Sequence, residues 1–293
     1  MIFGALFCIG LFILELIVRT RPGIFHDRAA IINKSGNNVE TLYFGSSITF
    51  WGISPELADS TELNLAYNSQ TPDASYYILK NNLEKFPNLK RVVIELASFT
   101  FFDPPLEESH LWQYWTDYTI FLNTDKHSRL SKYGFEISNP SEFRRRLLPW
   151  VEQDEVSQDS RGHADYRPLS QRWYKWPESV EWVVPTHLIS DWKWKSYNVE
   201  YFEKLIILCL ENGIEPVVVV FPAYKTYRDM MEGPQWKETL KELKELQAKH
   251  GFIVKDLYAD IRFGEEDFFD VVHLTTDKGA RKMWRILNEE LSN

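Results

Sequence analysis

The sequence has few cysteines and no excess of basic residues. Two of its 293 residues are cysteines, Cys8 and Cys209, and their spacing predicts neither a metal site nor a disulfide. The 33 lysines and arginines are outnumbered by 42 aspartates and glutamates, which gives a formal net charge of −9. A general nucleic-acid binder needs a basic surface, so the charge excludes that class of partner.

Metal and cofactor signatures are also absent. No Gly-rich loop has the pattern of a phosphate cradle or a dinucleotide turn. Most of the histidines are scattered without metal-ligand spacing. We therefore predict no metal site and no cofactor. The histidines set aside in this way are His26, His110, His127, His163, His187 and His250.

Long apolar runs are missing except at the start of the chain. Residues 2–18 are apolar except for Glu15, about the minimum length for a membrane-spanning helix, so we predict a transmembrane or signal-anchor helix over residues 1–19. A cleaved signal peptide fits less well, since no basic residue precedes the run. Residues 20–40 are polar and rich in turn formers, which predicts a connector.

Strands and helices alternate in the rest of the chain. Strands are predicted over 41–45, 62–66, 91–96, 215–221 and 252–257, and helices over 72–86, 197–212, 235–250 and 275–291. This order predicts an α/β fold in three layers, flavodoxin-like, with a mostly parallel five-stranded sheet. The continuous apolar run Val217–Phe221 fits a parallel strand buried on both faces.

The alternation breaks between about residues 100 and 196. This stretch is polar and rich in aromatics, and a structureless loop of that length is improbable, so we predict a mainly helical insertion over the carboxyl edge of the sheet. Tryptophans stack on sugar rings, so a glycan site is one interpretation, and packing of the insertion onto the sheet is the other. Its tryptophans are Trp112, Trp115, Trp150, Trp173, Trp176, Trp182, Trp192 and Trp194.

Chemistry-bearing residues follow the first strand and precede the last helix. Gly45-Ser46-Ser47 ends the first strand, and Asp270-Val-Val-His273 follows the last. Both lie at the carboxyl edge of a parallel sheet, so they are expected to meet there. A spacing of three lets Asp270 hold one ring nitrogen of His273 while the other faces a serine, as in a nucleophile–base–orienter triad.

These two blocks resemble those of the SGNH (GDSL-type) hydrolase superfamily. Gly45-Ser46-Ser47 stands where that family usually has Gly-Asp-Ser, which makes Ser47 the nucleophile, with His273 and Asp270 as its partners. The Gly-Ser-Ser variant and the apolar start are similar to a membrane-anchored branch that includes D-alanine-transfer proteins of cell-wall teichoic acids and proteins acting on polysaccharides. The resemblance covers about residues 41–100 and 215–291, within an α/β domain spanning 41–293.

The family's oxyanion hole combines the nucleophile's own backbone N–H, a glycine and an asparagine. Ser69 stands at the place of the glycine. No asparagine stands at the third place, where Ser98 is found instead, and Asn68 is another substitute. The resemblance thus implies a hole built from Ser47, Ser69, and Asn68 or Ser98.

Two functions from different classes follow. One is a serine-dependent acyl-ester hydrolase or acyltransferase acting on an acylated glycan or cell-envelope polymer, with acetyl as the expected acyl group and a membrane acyl-transfer partner. The other is a non-catalytic, membrane-anchored glycan-binding or assembly protein on a degenerate fold of the same family. A soluble cytoplasmic esterase is a weaker option. The resemblance implies a membrane anchor with an extracytoplasmic domain, in the periplasm or at the cell surface, whereas Arg19 and Arg21 favour the opposite orientation.

Overall fold

The computed structural model of the protein describes residues 2–20, 24–54, 61–109, 158–159, 161–164 and 167–291, together with Leu122. Its strands are β1 (Thr41–Phe44), β2 (Glu62–Asn64), β3 (Arg91–Glu95), β4 (Glu215–Val220) and β5 (Ile253–Asp256). Its α-helices are α1 (Ile2–Thr20), α2 (Ile24–Ser35), α3 (Ser47–Gly52), α4 (Pro72–Asn82), α5 (Val180–His187), α6 (Lys195–Glu211), α7 (Lys225–Met231), α8 (Pro234–His250) and α9 (Gly279–Leu291).

The five strands form one sheet in the order β2-β1-β3-β4-β5, and every pair is parallel. The predicted α/β fold and its five-stranded sheet are therefore confirmed, and the strand order is the flavodoxin-like one. The chain leaves β1 toward β2 on one side and later enters β3 on the other. Strand order thus reverses beside β1, and such a reversal opens a crevice at the carboxyl ends of the strands.

Helices cover both faces of the sheet because successive strand residues point to opposite sides. Leu42 and Phe44 of β1 face a core shared with α2, α4, α6 and α8, whereas Tyr43 faces a second core shared with α3, α5, α7 and α9. Nearly all side chains of β4 are buried, as its apolar run predicts. The two cores fix the sheet rigidly from both sides, and with it the loops at its carboxyl edge.

Two of the long helices are followed by glycines in the left-handed conformation. Gly213 comes two residues after the end of α6 and Gly251 directly after α8, with φ of 69° and 72°. This left-handed backbone closes a helix at little cost only in glycine and a few other residues. The last helix begins later than predicted, at Gly279, whose amide donates to Thr275 Oγ1 at 3.0 Å.

Residues 2–20 form a helix, as the apolar run predicts. Within the described part of the chain, no helix meets the combined length and apolarity needed to cross a membrane.

The segment predicted as a connector, residues 20–40, is largely helical in the structure. Residues 24–35 form α2, and a short 3₁₀ helix, Gly36–Asn38, follows. Phe25 and Ile32 are buried in the core, and Arg28 is fully buried between them. The Arg28 guanidinium donates to the carbonyls of Leu65 and Ala66, at 3.3 and 2.6 Å. Because the charged Arg28 lies on the inward face of α2, the sequence does not show the regular apolar repeat of a helix that packs on a core.

Much of the aromatic insertion, including Trp112, Trp115 and Trp150, lies outside the described residues. Its described part contains short 3₁₀ helices at Leu169–Gln171 and Trp176–Ser179, and the helix α5. Of its five described tryptophans, Trp176 is buried against the sheet, Trp194 is half-buried, and Trp173, Trp182 and Trp192 are exposed. Packing of the insertion onto the sheet, one of the two interpretations, thus accounts fully for one of these five tryptophans, Trp176.

Candidate active site

Ser47 lies at the junction of β1 and α3, at the carboxyl edge beside the strand-order reversal. Gly45 makes the turn, and Ser46 is the helix N-cap, with its Oγ accepting the amide of Ile48 at 3.3 Å. Ser47 is then the first residue of α3, where backbone amides lack intrahelical acceptors. Its hydroxyl is thereby held at the helix N-terminus and faces the crevice.

The structure brings Asp270 and His273 to the same place. His273 Nε2 lies 2.9 Å from Ser47 Oγ, and its Nδ1 lies 2.7 Å from Asp270 Oδ2. The other carboxylate oxygen, Asp270 Oδ1, accepts the backbone amides of Val272 and His273, at 3.0 and 2.8 Å. The carboxylate is therefore fixed by its own turn of chain. It holds the ring with Nδ1 as donor and leaves Nε2 to accept the serine proton.

The electrostatics keep Asp270 ionised. Burial alone would raise the pKa of its carboxyl, but the neighbouring His273 and the two backbone amides more than offset burial and lower the pKa to about 2. A carboxylate that stays charged at neutral pH favours the imidazolium that forms when His273 takes a proton.

Trp51 and Arg167 brace this histidine from the outer side. The ring of Trp51 packs edge-to-face on His273 with 4.4 Å between centroids. The guanidinium of Arg167 stacks on Trp51 at 3.4 Å, and its Nη1 lies 3.8 Å from Asp270 Oδ2. Sequence reasoning missed Arg167, because it lies in the insertion and no pattern connects it with Asp270.

Glu95 is a second functional residue that the sequence argument missed. It ends β3, is 4% exposed, and accepts four hydrogen bonds from the turn that carries Ser47. The donors are the amide and hydroxyl of Ser46, at 2.9 and 2.6 Å, and those of Thr49, at 2.9 and 2.7 Å. Burial raises the pKa of this carboxyl, while these donors act against the rise. The signal available in the sequence was an acidic residue, Glu95, at the end of an otherwise apolar strand.

Gly45 permits this arrangement by its lack of a side chain. A Cβ on Gly45 would lie 2.5 Å from both Cβ and Oε2 of Glu95. Its φ of 155° adds a backbone conformation that other residues rarely adopt. The glycine that the sequence offered as a turn former is thus also a contact surface for the buried carboxylate.

We expect Glu95→Gln to destabilise the protein by about 3 kcal/mol. Glutamine replaces one of the two carboxylate oxygens with an NH₂ group, which would then face hydrogen-bond donors. Each buried donor left without an acceptor costs about 1–3 kcal/mol. Urea unfolding measures the change, with the exposed Glu108→Gln as the matched control, expected within about 0.5 kcal/mol of the parent. Equal stabilities for the two variants would contradict this role.

The predicted oxyanion residues fall in different places. Ser69 lines the same cleft as Ser47 and has a φ of 55°, a backbone conformation suited to glycine. The backbone N–H groups of Ser47 and Ser69 donate to no other described residue. Ser98 is buried elsewhere, its Oγ 3.1 Å from Tyr227 Oη, and Asn68 does not line the cleft. The structure thus groups Ser69, but neither Asn68 nor Ser98, with Ser47.

The cleft before Ser47 has a volume of about 280 Å³, near the lower end for small-molecule sites. The insertion closes one side with Thr186 and His187, and the segment after β3 closes another with Phe99 and Asp103. Burial raises the pKa of Asp103 from its ordinary value of 3.8 to about 7. The cleft therefore combines an apolar wall with a carboxyl that changes charge near neutral pH.

We expect Asp103 to give folding stability a pH dependence that Asp103→Asn removes. Between about pH 4 and pH 7 the folded protein holds a proton on Asp103 that the unfolded chain has lost. Its contribution therefore favours folding below pH 4, declines as pH rises and levels off above pH 7, by about 4 kcal/mol in total. Urea unfolding at pH 5 and pH 8 measures both proteins, and the same pH difference in both would contradict the assignment.

No cluster of three or more metal-ligating side chains is present in the described ranges. The absence of a metal and of a cofactor remains a prediction.

No protein-family model and no curated protein matches the chain. Similar solved structures include a candidate platelet activating factor from Streptococcus pneumonia, 11% identical, covering 97% of this chain and 99% of that one, with a TM-score of 0.46. A GDSL-like lipase from Bacteroides thetaiotaomicron is 10% identical, covers 87% of each chain and has a TM-score of 0.41. A carbohydrate acetylesterase from Sinorhizobium meliloti is 12% identical, covers 87% of this chain and 99% of that one, with a TM-score of 0.37. With TM-scores below 0.5, the functional assignment depends on the side-chain geometry of this chain.

Proposed function

We propose that the protein is a serine-dependent acyl-ester hydrolase or acyltransferase of the SGNH type. The observation that carries this proposal is the continuous hydrogen-bonded series from Ser47 Oγ through His273 to Asp270, with steps of 2.9 and 2.7 Å. A base within hydrogen-bond reach of a hydroxyl, itself oriented by a third group, is the arrangement that activates a serine.

In the first half of the reaction, Ser47 Oγ bonds to the acyl carbonyl carbon while His273 Nε2 takes the hydroxyl proton. The carbonyl electron pair moves onto its oxygen, where the free amides of Ser47 and Ser69 stabilise the negative charge. The intermediate collapses when the ester C–O bond breaks and His273 returns its proton to the departing alcohol oxygen. An acyl-serine remains.

In the second half, water or an acceptor hydroxyl gives its proton to His273 and bonds to the acyl carbon. Ser47 leaves and recovers the proton. Whether water or an acceptor hydroxyl reacts depends on which of them the cleft admits. The same three residues therefore support both hydrolysis and transfer.

For the substrate we propose an acylated glycan or cell-envelope polymer, with acetyl as the expected acyl group. A cleft of about 280 Å³ suits a short acyl group, and the hydroxyl of Thr186 and the carboxyl of Asp103 suit a hydroxylated alcohol part. Contact with a membrane through residues 2–18, an extracytoplasmic location and a membrane acyl-transfer partner belong to the same proposal.

Labelling with a fluorophosphonate tests the reaction class. The probe should modify Ser47 of the native protein, and peptide mapping should locate it there, while His273→Ala should slow labelling by about 10³-fold or more. Absence of labelling in the native protein, or labelling at another serine, would refute the proposal.

A second function, non-catalytic glycan binding, is favoured by one surface feature. Trp173, Tyr174 and Trp182 lie together, with ring centroids 5.9 and 5.6 Å from Trp173, and are 43%, 82% and 52% exposed. Affinity for acetylated glycans that Trp182→Ala abolishes, in a protein that fluorophosphonate does not label, would favour this function over the enzyme.

A further inference from the structure

A histidine outside the triad lines the cleft with Ser47. His187 ends α5 in the aromatic insertion, and its ring packs against Phe99 and Tyr227 with centroids 4.2 and 5.6 Å away. These contacts hold the imidazole in one plane. A rigid polar ring beside a candidate nucleophile has chemical consequences that depend on which of its nitrogens carries the proton.

The hydrogen bonds behind the ring assign that proton. His187 Nδ1 lies 2.8 Å from Tyr227 Oη, which lies 3.1 Å from Ser98 Oγ. The Ser98 hydroxyl has no partner but Tyr227 among the described residues, so its hydrogen has an acceptor only if it donates to Tyr227 Oη. Burial raises the pKa of the Tyr227 phenol, which stays protonated, and Nδ1 of His187 is then the acceptor that remains for the phenol hydrogen among the described residues. Nδ1 is thus an acceptor, and Nε2 carries the hydrogen.

The Nε2–H has no acceptor among the described residues. Nε2 is also not among the enclosed polar atoms of the described residues that lack a partner, so it is solvent-accessible, and His187 lines the cleft. Burial, and then the charge of His273, lowers the pKa of His187 to about 3. The ring is therefore neutral at working pH, a donor that is not itself ionised and does not compete with His273 as a base.

We propose that His187 Nε2–H is the third oxyanion donor, acting with the backbone amides of Ser47 and Ser69. This rests on the proposed acyl-transfer function and deepens it. When Ser47 Oγ bonds to the carbonyl carbon and His273 takes the proton, the carbonyl oxygen gains the electron pair and accepts hydrogen bonds from all three N–H groups. The insertion thereby completes the catalytic site instead of only covering it.

Two variants of similar size separate donation from packing. His187→Phe keeps a flat ring without a donor, and His187→Gln places an amide N–H near the position of Nε2. With p-nitrophenyl acetate, we expect His187→Phe to lower kcat by about 10²–10³-fold with KM within about threefold. His187→Gln should recover at least about tenfold of that loss. Tyr227→Phe, which removes the donor to Nδ1, should lower kcat by an intermediate factor.

The outcomes distinguish this inference from the function on which it rests. A His187→Phe protein with kcat within about threefold of the parent overturns the role of His187 and leaves the acyl-transfer proposal standing. Equal losses in His187→Phe and His187→Gln, accompanied by equal falls in melting temperature, also overturn it and indicate packing. A native protein that neither hydrolyses p-nitrophenyl acetate nor reacts with fluorophosphonate refutes both.

Discussion

Ser47→Ala should abolish turnover of p-nitrophenyl acetate, lowering kcat by about 10⁴–10⁶-fold. The lost hydroxyl lies 2.9 Å from His273 Nε2. The fold should stay intact, because that hydroxyl makes no other hydrogen bond to a described residue. The hydrogen bonds that Glu95 accepts come from Ser46 and Thr49, not from Ser47. Steady-state kinetics and thermal unfolding measure both effects, and retained turnover would refute the mechanism.

The neighbouring serine provides the matched comparison. Ser46 also lines the cleft, but its Oγ donates to Glu95 Oε1 at 2.6 Å, whereas the Oγ of Ser47 contacts His273. Ser46→Ala removes a buried hydrogen bond to a charged group, which we expect to cost about 1.5–3 kcal/mol of stability. Turnover should stay within about tenfold of the parent. The opposite pattern, a stable and inactive Ser46→Ala beside an active Ser47→Ala, would assign the nucleophile to Ser46.

The sequence predicted the elements whose signals are local. The apolar strands and the helices between them predicted the α/β order. Ser47 and His273 each follow a strand, which predicted that both lie at one edge of the sheet. Parallel strands bring such ends together whatever the intervening chain contains. For the same reason a sequence separation of 226 positions between the two side chains did not obscure the pair.

The rest of the site depends on contacts that have no local pattern. Glu95 supports Ser46 because β1 and β3 are neighbours, a fact of strand order that composition does not reveal. Arg167 and His187 come from the insertion, whose packing on the sheet sets their positions. Buried Arg28 made an inward-facing helix look like a polar connector. In each case a polar group is buried with partners that are distant in sequence.

Asp270→Asn should lower kcat/KM for p-nitrophenyl acetate by about 10⁴-fold, although asparagine and aspartate have nearly the same side-chain volume. Asp270 Oδ1 accepts two backbone amides, so the amide oxygen of asparagine would take that position and its NH₂ would face His273 Nδ1. The ring must then accept at Nδ1 and carry its hydrogen on Nε2. In that tautomer Nε2 cannot accept the proton of Ser47.

A pH series separates this tautomer effect from general destabilisation. Asp270 has a folded pKa of about 2, below its ordinary 3.8, so its ionisation stabilises the fold above pH 4, and this contribution is lost as pH falls toward 2. Asp270→Asn should therefore flatten the unfolding free energy between pH 4 and pH 2, while its activity stays low at pH 8, where the fold is stable. Activity within tenfold of the parent at pH 8 would show that Asp270 does not orient His273. A loss of activity that follows the unfolded fraction would assign Asp270 to stability alone.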